Sequence, residues 1–416
     1  MHVTLLTYGS QGDVEPFVAL GSGLRRAGCG VRLAAPEAFA HLAVGRNLDF
    51  VGLPGEPLAL VRNLVGKAGK NPARMVSEVS RYVVPLALAV SERVRAACQG
   101  TDVIVHSFLL TQAGYEAAKE HGVPDVSAQL FPVFSTTREF PSPVFPDLPL
   151  GDAYRRASHG LTTLTFRRGG QLLYRWVRRK HPQLPPLTGW PFDGRGVRRS
   201  PLLYAISPCV IAPPADWPEE AHVTGYWFLE DLEDWRPPEP LQRFLDDGSK
   251  PVCITLGSST GASAGRVGKL ALEALNLTGQ RGIVVGRNLG LTHLPDDVLV
   301  ADYAPYGWLF PRVICAVHHG GAGTTGQALR AGVPSIVVPF TSDQPFWGRR
   351  VHALGVGPHP IPAQRLSVRA LAEAIDIAAN HREMQSRAGA LGERIRAEDG
   401  VAAAIEIILC HAEGTA

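Results

Sequence analysis

Short, almost wholly apolar runs that alternate with helix-length segments are the feature of this sequence that most constrains its fold. Odd-numbered and even-numbered positions in these runs are both aliphatic or β-branched. Since alternate residues of a strand face opposite sides, each run is expected to be a strand buried on both faces. Such strands are typical of a parallel sheet covered by helices. The predicted strands are Val3–Thr7, Val31–Ala35, Asp102–His106, Val126–Leu130, Val252–Leu256, Gly282–Val285, Val298–Ala301, Ile314–Val317 and Ser335–Pro339.

The strand–helix alternation stops once, between Trp235 and Pro251, where three prolines precede a short polar helix. A chain of 416 residues is also too long for one ordinary core, since a domain usually has roughly 100–200 residues. The sequence therefore predicts two doubly wound α/β domains, 1–233 and 251–416, joined by a linker at 234–250. The last helix is expected to pack back on the first domain.

Composition excludes several classes of protein. Hydrophobic residues make up 45% and charged residues 19% of the chain, and the formal net charge is only +3, so nucleic acid is not an expected partner. The six cysteines are scattered without zinc spacing, which favours free thiols in a reducing compartment. No signal peptide or apolar run of about 20 residues is visible, so a cytoplasmic protein is expected, as a monomer or weak dimer.

The segment 154–180 departs from this pattern because it is rich in arginine. The sequence groups Leu172, Leu173, Trp176 and Val177 on one helical face. The favoured interpretation is a helix that docks its apolar face on the first domain beside the substrate cleft. The alternative is peripheral contact with an anionic membrane.

The most informative motif is His-His-Gly-Gly-Ala-Gly-Thr-Thr at 318–325, between a predicted strand and a predicted helix. A glycine turn into a helix directs unpaired backbone N–H groups and the positive end of the helix dipole at one point, which suits a diphosphate. The motif is not a Walker loop, because no Lys follows its last glycine, and it lacks the G-x-G-x-x-G spacing of dinucleotide sites.

Two further turns follow strands of the same predicted sheet, and ligands bind beyond the carboxyl ends of such strands. The first contains Ser258, which could reach the diphosphate or form only an ordinary βα turn. The second contains Asp343 and Gln344, which could bind vicinal sugar hydroxyls or cap a helix, with Phe346 and Trp347 as apolar walls.

These motifs together carry a family resemblance. The stretch from Trp308 to Pro358 includes the histidine–glycine motif and Asp-Gln-Pro-Phe-Trp-Gly, and it resembles the donor signature of family 1 UDP-glycosyltransferases. The segment Thr7–Pro16 is similar to the G-[ST]-x-G-D-V-x-P opening of the sterol glucosyltransferase branch and of the antibiotic glycosyltransferases. The resemblance is sharp over residues 1–35 and 300–360 and loose over 60–230.

The resemblance implies a GT-B fold of two Rossmann-like domains facing across a cleft, with the acceptor bound by 1–233 and the nucleotide sugar by 251–416. It assigns the diphosphate to His319, Gly321, Ala322, Gly323 and Thr324, with Ser258 in support. The sugar hydroxyls are assigned to Asp343 and Gln344. The nucleotide base is assigned to Tyr303 and Tyr306, and the ribose to Gln327. Tyr303 and Gln327 replace the tryptophan and glutamate of many relatives. The nucleoside of the sugar donor could therefore be either uridine or deoxythymidine.

Asp13 admits two interpretations. The residues alone favour a carboxylate that caps the first helix. The resemblance instead implies that Asp13 is the general base, in a loop shaped by Ser10 and Gly12 and ionised at an ordinary pKa of ~3.9. The acceptor hydroxyl would then attack opposite the diphosphate and invert the anomeric carbon. No Asp-x-Asp motif or histidine cluster suggests a metal, and no cofactor is expected beyond the nucleotide sugar as co-substrate.

The expected function is transfer of a hexose, glucose first, from UDP- or dTDP-sugar to a hydroxyl of a bulky apolar acceptor of sterol-like or polyketide type. The alternatives are a non-hydrolysing nucleotide-sugar epimerase, a dinucleotide-dependent dehydrogenase and a non-catalytic nucleotide-sugar or lipid sensor. The aromatic stretch with Phe131, Phe134, Phe140 and Phe145 favours an acceptor pocket, which an epimerase does not need.

Overall fold

The computed structural model describes residues 1–55, 83–180, 182, 186–187, 189–192, 200–230, 235–255, 264–286 and 294–414. The chain forms two compact units. Unit 1 comprises Met1–Pro208, Ala212–Leu229 and Asp399–Ala416, and unit 2 comprises Cys209–Ile211 and Glu230–Glu398.

Each unit contains one parallel sheet. The order is β3-β2-β1-β4-β5-β6-β7 in unit 1 and β10-β9-β8-β11-β12 in unit 2. The strands are β1 His2–Leu6, β2 Gly30–Pro36, β3 Asp49–Leu53, β4 Val103–His106, β5 Asp125–Gln129, β6 Leu202–Tyr204, β7 Ala221–Val223, β8 Val252–Thr255, β9 Gly282–Val285, β10 Val298–Ala301, β11 Cys315–His318 and β12 Ser335–Val337. The predicted α/β class with parallel sheets is confirmed.

All nine predicted strands are present, and their ends agree to within two residues. Sequence reasoning missed β3, β6 and β7. The strands β6 and β7 have three residues each, and β3 contains Asp49 and Gly52, which interrupt its apolar pattern. Edge and short strands need little apolar surface, so a search for continuous apolar runs does not detect them.

Helices cover the sheets. They are α1 Gln11–Arg26, α2 Val84–Ala97, α3 Thr111–His121, α4 Gly151–Lys180, α5 Glu239–Asp246, α6 Ala264–Thr278, the single turn α7 Tyr306–Leu309, α8 Ala322–Ala331, α9 Gln344–Ala353, α10 Val368–Asn380, α11 Arg382–Arg396 and α12 Gly400–Glu413. In α1 the predicted face of Phe17, Leu20 and Leu24 is fully buried. Among the described residues, none of the helices has both the length and the apolar character to cross a bilayer.

The C-terminal helix α12 belongs to unit 1 and packs against α1. A side chain at Gly23 of α1 would collide with Val401, and Ala404 and Ile408 of α12 are fully buried in the core of unit 1. The stretch predicted as a linker contains α5, whose Leu241 is buried in the core of unit 2. The two units therefore meet along the chain at Leu229 and Glu230, slightly before the predicted boundary at 233.

The long helix α4 packs on α2 through Leu173, Tyr174 and Trp176, which lie against Leu88. The grouping of Leu172 with that face was wrong, because Leu172 is 64% exposed. Successive helical residues are rotated by about 100°, which turns Leu172 away from the contact made by Leu173.

The contact between α8 and α11 generates a stability prediction. A Cβ added to Gly392 of α11 would lie 2.7 Å from Gly332 Cα, whereas one added to Gly389 of the same helix meets nothing within 4 Å. We expect Gly392→Ala to lower the free energy of unfolding by about 1–3 kcal/mol, because the helices must move apart. Gly389→Ala should raise it by about 0.5–1 kcal/mol, as alanine favours the helix. Thermal unfolding of both variants checks this, and equal effects would contradict the close contact.

Candidate active site

Asp13 lies in the first turn of α1, after the loop that follows β1. Its Oδ2 accepts hydrogen bonds from Ser10 N at 2.6 Å and Ser10 Oγ at 2.8 Å, so Asp13 does cap the helix as its sequence position suggested. Gly9 makes this possible, because a side chain there would collide with the Asp13 carboxylate. No described residue hydrogen-bonds the second oxygen, Oδ1.

The Asp13 carboxyl does not have the ordinary pKa that the sequence suggested. Burial raises its pKa, and the two hydrogen bonds from Ser10 offset only part of that effect. A raised pKa moves a carboxylate towards the range in which it accepts a proton efficiently near neutral pH. The arrangement is thus compatible with both capping and proton transfer, since capping uses Oδ2 alone.

The predicted phosphate turn leads from β11 into α8. Gly320 has φ +86°, and a Cβ there would lie 2.6 Å from Val337 Cγ1 and 3.0 Å from Gln344 O. Gly321 is the N-cap of α8, which begins at Ala322. The first N–H groups of a helix have no intrahelical acceptor, so those of Ala322, Gly323 and Thr324 are placed to bind an anion.

Two histidines precede this turn with different roles. His318 is fully buried, and its Nδ1 accepts a hydrogen bond from Gly320 N at 3.1 Å, so His318 holds the turn. The Nδ1 of His319 is buried and has no hydrogen-bond partner among the described residues. Burial lowers the pKa of His319 to about 4, so the ring is neutral at pH 7 and can donate one N–H.

A second buried group at this turn also has no partner in the described part of the chain, namely Thr325 Oγ1. Buried polar atoms are normally hydrogen-bonded, and exceptions mark places where a ligand or water completes the set. An unpartnered imidazole nitrogen and hydroxyl beside a helix N-terminus therefore indicate an anion site, independently of the motif.

Asp343 and Gln344 lie at the start of α9, after β12. Asp343 Oδ2 accepts a hydrogen bond from Trp347 Nε1 at 2.8 Å. Gln344 Oε1 accepts from Phe340 N at 2.8 Å and Thr341 N at 3.2 Å, which leaves its NH₂ group to donate. The expectation that Trp347 walls the pocket was wrong: Trp347 is fully buried and instead orients Asp343.

The residues predicted for the base and ribose differ in accessibility. Tyr303 is 50% exposed. Tyr306 is stacked on Phe310 with ring centroids 4.6 Å apart, and its OH lies 2.7 Å from Thr255 Oγ1. The Oε1 of Gln327 is buried without a partner among the described residues, beside Gly307. Tyr303 thus exposes half of its surface and Gln327 has an unpartnered atom, whereas one face of Tyr306 is occupied.

Within unit 2 the structure brings the phosphate turn next to Gln344, through the contact at Gly320, and Gln327 next to the turn of α7. Ser258 lies outside the described residues. Ser10, Gly12 and Asp13 belong to unit 1. Among the residues that the structure describes, no group of three His, Cys, Asp or Glu could hold a metal ion.

An aromatic cluster in unit 1 was only partly predicted. Phe134 lies at its centre, with ring centroids 5.7 Å from Phe108, 6.3 Å from Phe166, 5.6 Å from Trp190 and 4.9 Å from Phe192. Phe131 joins through Phe108 at 5.0 Å. Among the predicted aromatic residues, Phe140 instead packs on His159 and Trp217, away from this cluster.

Two features suggest that the aromatic cluster serves more than packing. Phe134 has φ +74°, which is costly for an aromatic residue and occurs mostly where function requires it. The buried atoms Trp190 Nε1 and Ser107 Oγ have no partner among the described residues. Phe108 could have been found from sequence, because it lies two residues after the end of β4, at the carboxyl edge of the sheet.

Sequence models of two families match the chain: the glycosyltransferase family 28 N-terminal domain at residues 3–84, and the erythromycin biosynthesis protein CIII-like C-terminal domain at 282–403. O-mycaminosyltylonolide 6-deoxyallosyltransferase of Streptomyces fradiae is 36% identical to this chain. The similarity covers 98% of this chain and 97% of that protein. Sterol 3-beta-glucosyltransferase of Yarrowia lipolytica is 34% identical over 98% of this chain, which spans only 28% of that protein.

Solved structures are similar over the whole chain. The glycotransferase of kitacinnamycin has a TM-score of 0.71 at 19% identity. The superposition covers 99% of this chain and 98% of that structure. VinC, solved in complex with dTDP, has a TM-score of 0.67 at 18% identity and covers 100% of both chains. At these identities the likeness establishes the fold, which is the predicted GT-B fold.

The unpartnered nitrogen of His319 generates a binding prediction. We expect His319→Ala to weaken UDP or dTDP binding by about 10-fold or more, because a hydrogen bond to a charged group contributes about 1.5–3 kcal/mol. A bound diphosphate should raise the histidine pKa from about 4, so the wild-type advantage should grow as the pH falls below neutrality. Calorimetric titration measures both effects, and equal affinities would remove His319 from the phosphate site.

Proposed function

The chain belongs to the family 1 GT-B glycosyltransferases, which are NDP-sugar-dependent enzymes, and we propose that it moves a hexose from a UDP- or dTDP-sugar to a hydroxyl of a bulky apolar acceptor. Glucose is the first candidate sugar. The observation that carries the proposal is the phosphate turn, where a helix N-terminus, His319 and Thr325 present hydrogen-bonding groups that no described residue satisfies.

We assign the diphosphate to the start of α8. The N–H groups of Ala322, Gly323 and Thr324 and the neutral ring of His319 would donate to its oxygens, with Gly321 permitting close approach. Ser258, which lies outside the described residues, would support them with a hydrogen bond to the diphosphate. These donors are fixed before the reaction, so they would stabilise the charge that develops on the leaving diphosphate without reorganising.

The sugar hydroxyls are assigned to Asp343 and Gln344. The carboxylate of Asp343 would accept a hydrogen bond from one sugar hydroxyl, and the NH₂ of Gln344 would donate another. Trp347 is a positioning residue, since its N–H fixes the carboxylate. For the nucleoside, Tyr303 would stack on the base with Tyr306 as support, and Gln327 Oε1 would accept from the ribose.

Asp13 is proposed as the general base. Its Oδ1, free of described partners, would accept the proton of the acceptor hydroxyl, while Ser10 holds Oδ2 and Gly12 shapes the loop. The hydroxyl would attack the anomeric carbon opposite the diphosphate, so the configuration inverts. One bond forms between oxygen and carbon, and the bond to the diphosphate breaks.

The aromatic cluster around Phe134 supports an apolar acceptor in unit 1. Flat aromatic walls bury large apolar area, and the free Trp190 N–H and Ser107 hydroxyl could orient a polar group on the acceptor. Sterol-like and polyketide alcohols both fit this description. An epimerase or a non-catalytic sensor is not supported, because all the relatives reported above are transferases.

The proposal is tested by binding and turnover in sequence. Thermal shift with UDP, dTDP, UDP-glucose, a dTDP-6-deoxyhexose, GDP-mannose and NAD identifies the donor, and the bound donor is then incubated with sterol and macrolactone alcohols. We expect stabilisation by UDP or dTDP species alone and a new glycoside of inverted configuration. Stabilisation by NAD alone, or by none of these ligands, would refute the donor assignment.

We expect Asp13→Asn to lower turnover on the order of 10²–10⁴-fold, since the amide accepts no proton. Wild-type turnover should fall as the pH decreases through the raised pKa of Asp13, because the protonated carboxyl is inactive. Steady-state rates over a pH series check both effects.

The matched control is Glu15→Gln, which neutralises the next carboxylate on α1. Glu15 accepts a hydrogen bond from Gln11 Nε2 at 2.6 Å and takes no part in the proposed reaction. The Glu15→Gln substitution should leave turnover nearly unchanged. Nucleotide affinity should be preserved in both variants, and wild-type turnover by Asp13→Asn would show that another group is the base.

A further inference from the structure

Exposed apolar side chains are concentrated on one segment of unit 1. Of the thirteen large apolar side chains that are exposed among the described residues, six lie between Val144 and Leu172. Within α4, Leu161, Leu164 and Leu172 are 51%, 48% and 64% exposed. Isolated exposed leucines are ordinary, but a group on one element marks an interaction surface.

These leucines share a stripe of α4 with exposed arginines. The residues Leu161, Leu164, Arg168, Leu172, Arg175 and Arg179 follow one another at intervals of three or four, and all six are exposed. We call this stripe the α4 outer face. Residues at this spacing project to the same side of a helix, and the stripe is about 27 Å long at 1.5 Å per residue.

The α4 outer face carries unbalanced positive charge. Helix α4 contains eight Arg and Lys residues and one acidic residue, Asp152, and so has a net charge of +7, whereas the whole chain has +3. Within the part of the chain that the structure describes, Arg168, Arg175 and Arg179 make no ion pair. Their charges are therefore available to an external anionic surface.

The opposite side of α4 is fixed to unit 1, so the helix cannot turn its leucines inwards. Ser158 Oγ accepts a hydrogen bond from Ser142 N at 2.9 Å, and Thr162 Oγ1 donates to Ser142 Oγ at 2.7 Å. Leu173 and Trp176 pack towards α2. The outer face is thus a permanent feature of the surface.

We propose that the α4 outer face binds the surface of an anionic lipid bilayer. Arginines would lie at the lipid phosphates, and the leucines between them would enter the boundary with the acyl chains, as in interfacial amphipathic helices. A second copy of this face fits the stripe less well, because two such faces, each with three arginines and no acidic residue, would repel each other. Binding would hold unit 1, with its aromatic cluster, where apolar alcohols partition.

The experiment is sedimentation of the full chain with vesicles. The wild-type protein should bind vesicles of equimolar phosphatidylcholine and phosphatidylglycerol, bind pure phosphatidylcholine at least about 10-fold more weakly, and lose binding as salt is added. Replacing Leu161, Leu164 and Leu172 with Asn, or Arg168, Arg175 and Arg179 with Glu, should each reduce binding by at least about 10-fold.

A matched control tests whether any exposed apolar residues would have the same effect. Leu277→Asn combined with Ile377→Asn changes two exposed residues of unit 2, which are 63% and 43% exposed, and should leave vesicle binding unchanged. Thermal unfolding verifies that each variant is folded.

Three outcomes would overturn the proposal. The first is wild-type binding to the anionic vesicles no stronger than to phosphatidylcholine. The second is an equal loss in the Leu277 and Ile377 control. The third is a wild-type dimer that the outer-face variants dissociate while vesicle binding persists, which would make this face a contact between copies of the chain. None of these readouts depends on the identity of the sugar donor or acceptor.

Discussion

Parallel pairing of β11 with its neighbours is the constraint on which the donor half of this protein depends. The strand pairs with β8 on one side and β12 on the other, so the turns after β11 and β12 leave the same edge of one sheet. Gly320 shows how tightly these turns meet, because no side chain fits between it and Val337 or Gln344. Residues that are separated in sequence, such as Gly320 and Gln344, become neighbours only through this pairing.

The same edge concentrates polar atoms that the fold buries without satisfying. Burial lowers the pKa of His319 at this edge, so the histidine is neutral. In unit 1, burial separately raises the pKa of the Asp13 carboxyl, which makes it a better proton acceptor than in water. His319 Nδ1 and Thr325 Oγ1 have no partner among the described residues, whereas Asp343 accepts a hydrogen bond from Trp347 and Gln344 accepts one from Phe340 N. Buried polar groups without hydrogen-bond partners cost stability. A nucleotide sugar would supply the missing partners.

Helix α4 joins two different surfaces. Its inner side contributes Phe166 to the aromatic cluster, while its outer face presents three leucines and three arginines. A single helix thereby connects the proposed acceptor pocket to the proposed lipid contact. This arrangement follows from the helical period of 3.6 residues, which lets one sequence specify two independent faces.

The sequence by itself determined the fold class, nine of the twelve strands and the motif at 318–325, because buried strands and glycine turns are encoded by local composition. It also indicated Asp343 and Gln344 through their chemistry and their place after a strand, and the role of Asp13 as a base through a resemblance. Only the tertiary structure decided that Trp347 orients Asp343 and that Leu172 faces outwards. The aromatic cluster likewise required the fold, since Phe108, Phe134, Phe166 and Trp190 come from four separate segments. Contacts across the chain and the burial of single atoms depend on how elements pack, and no local pattern records that.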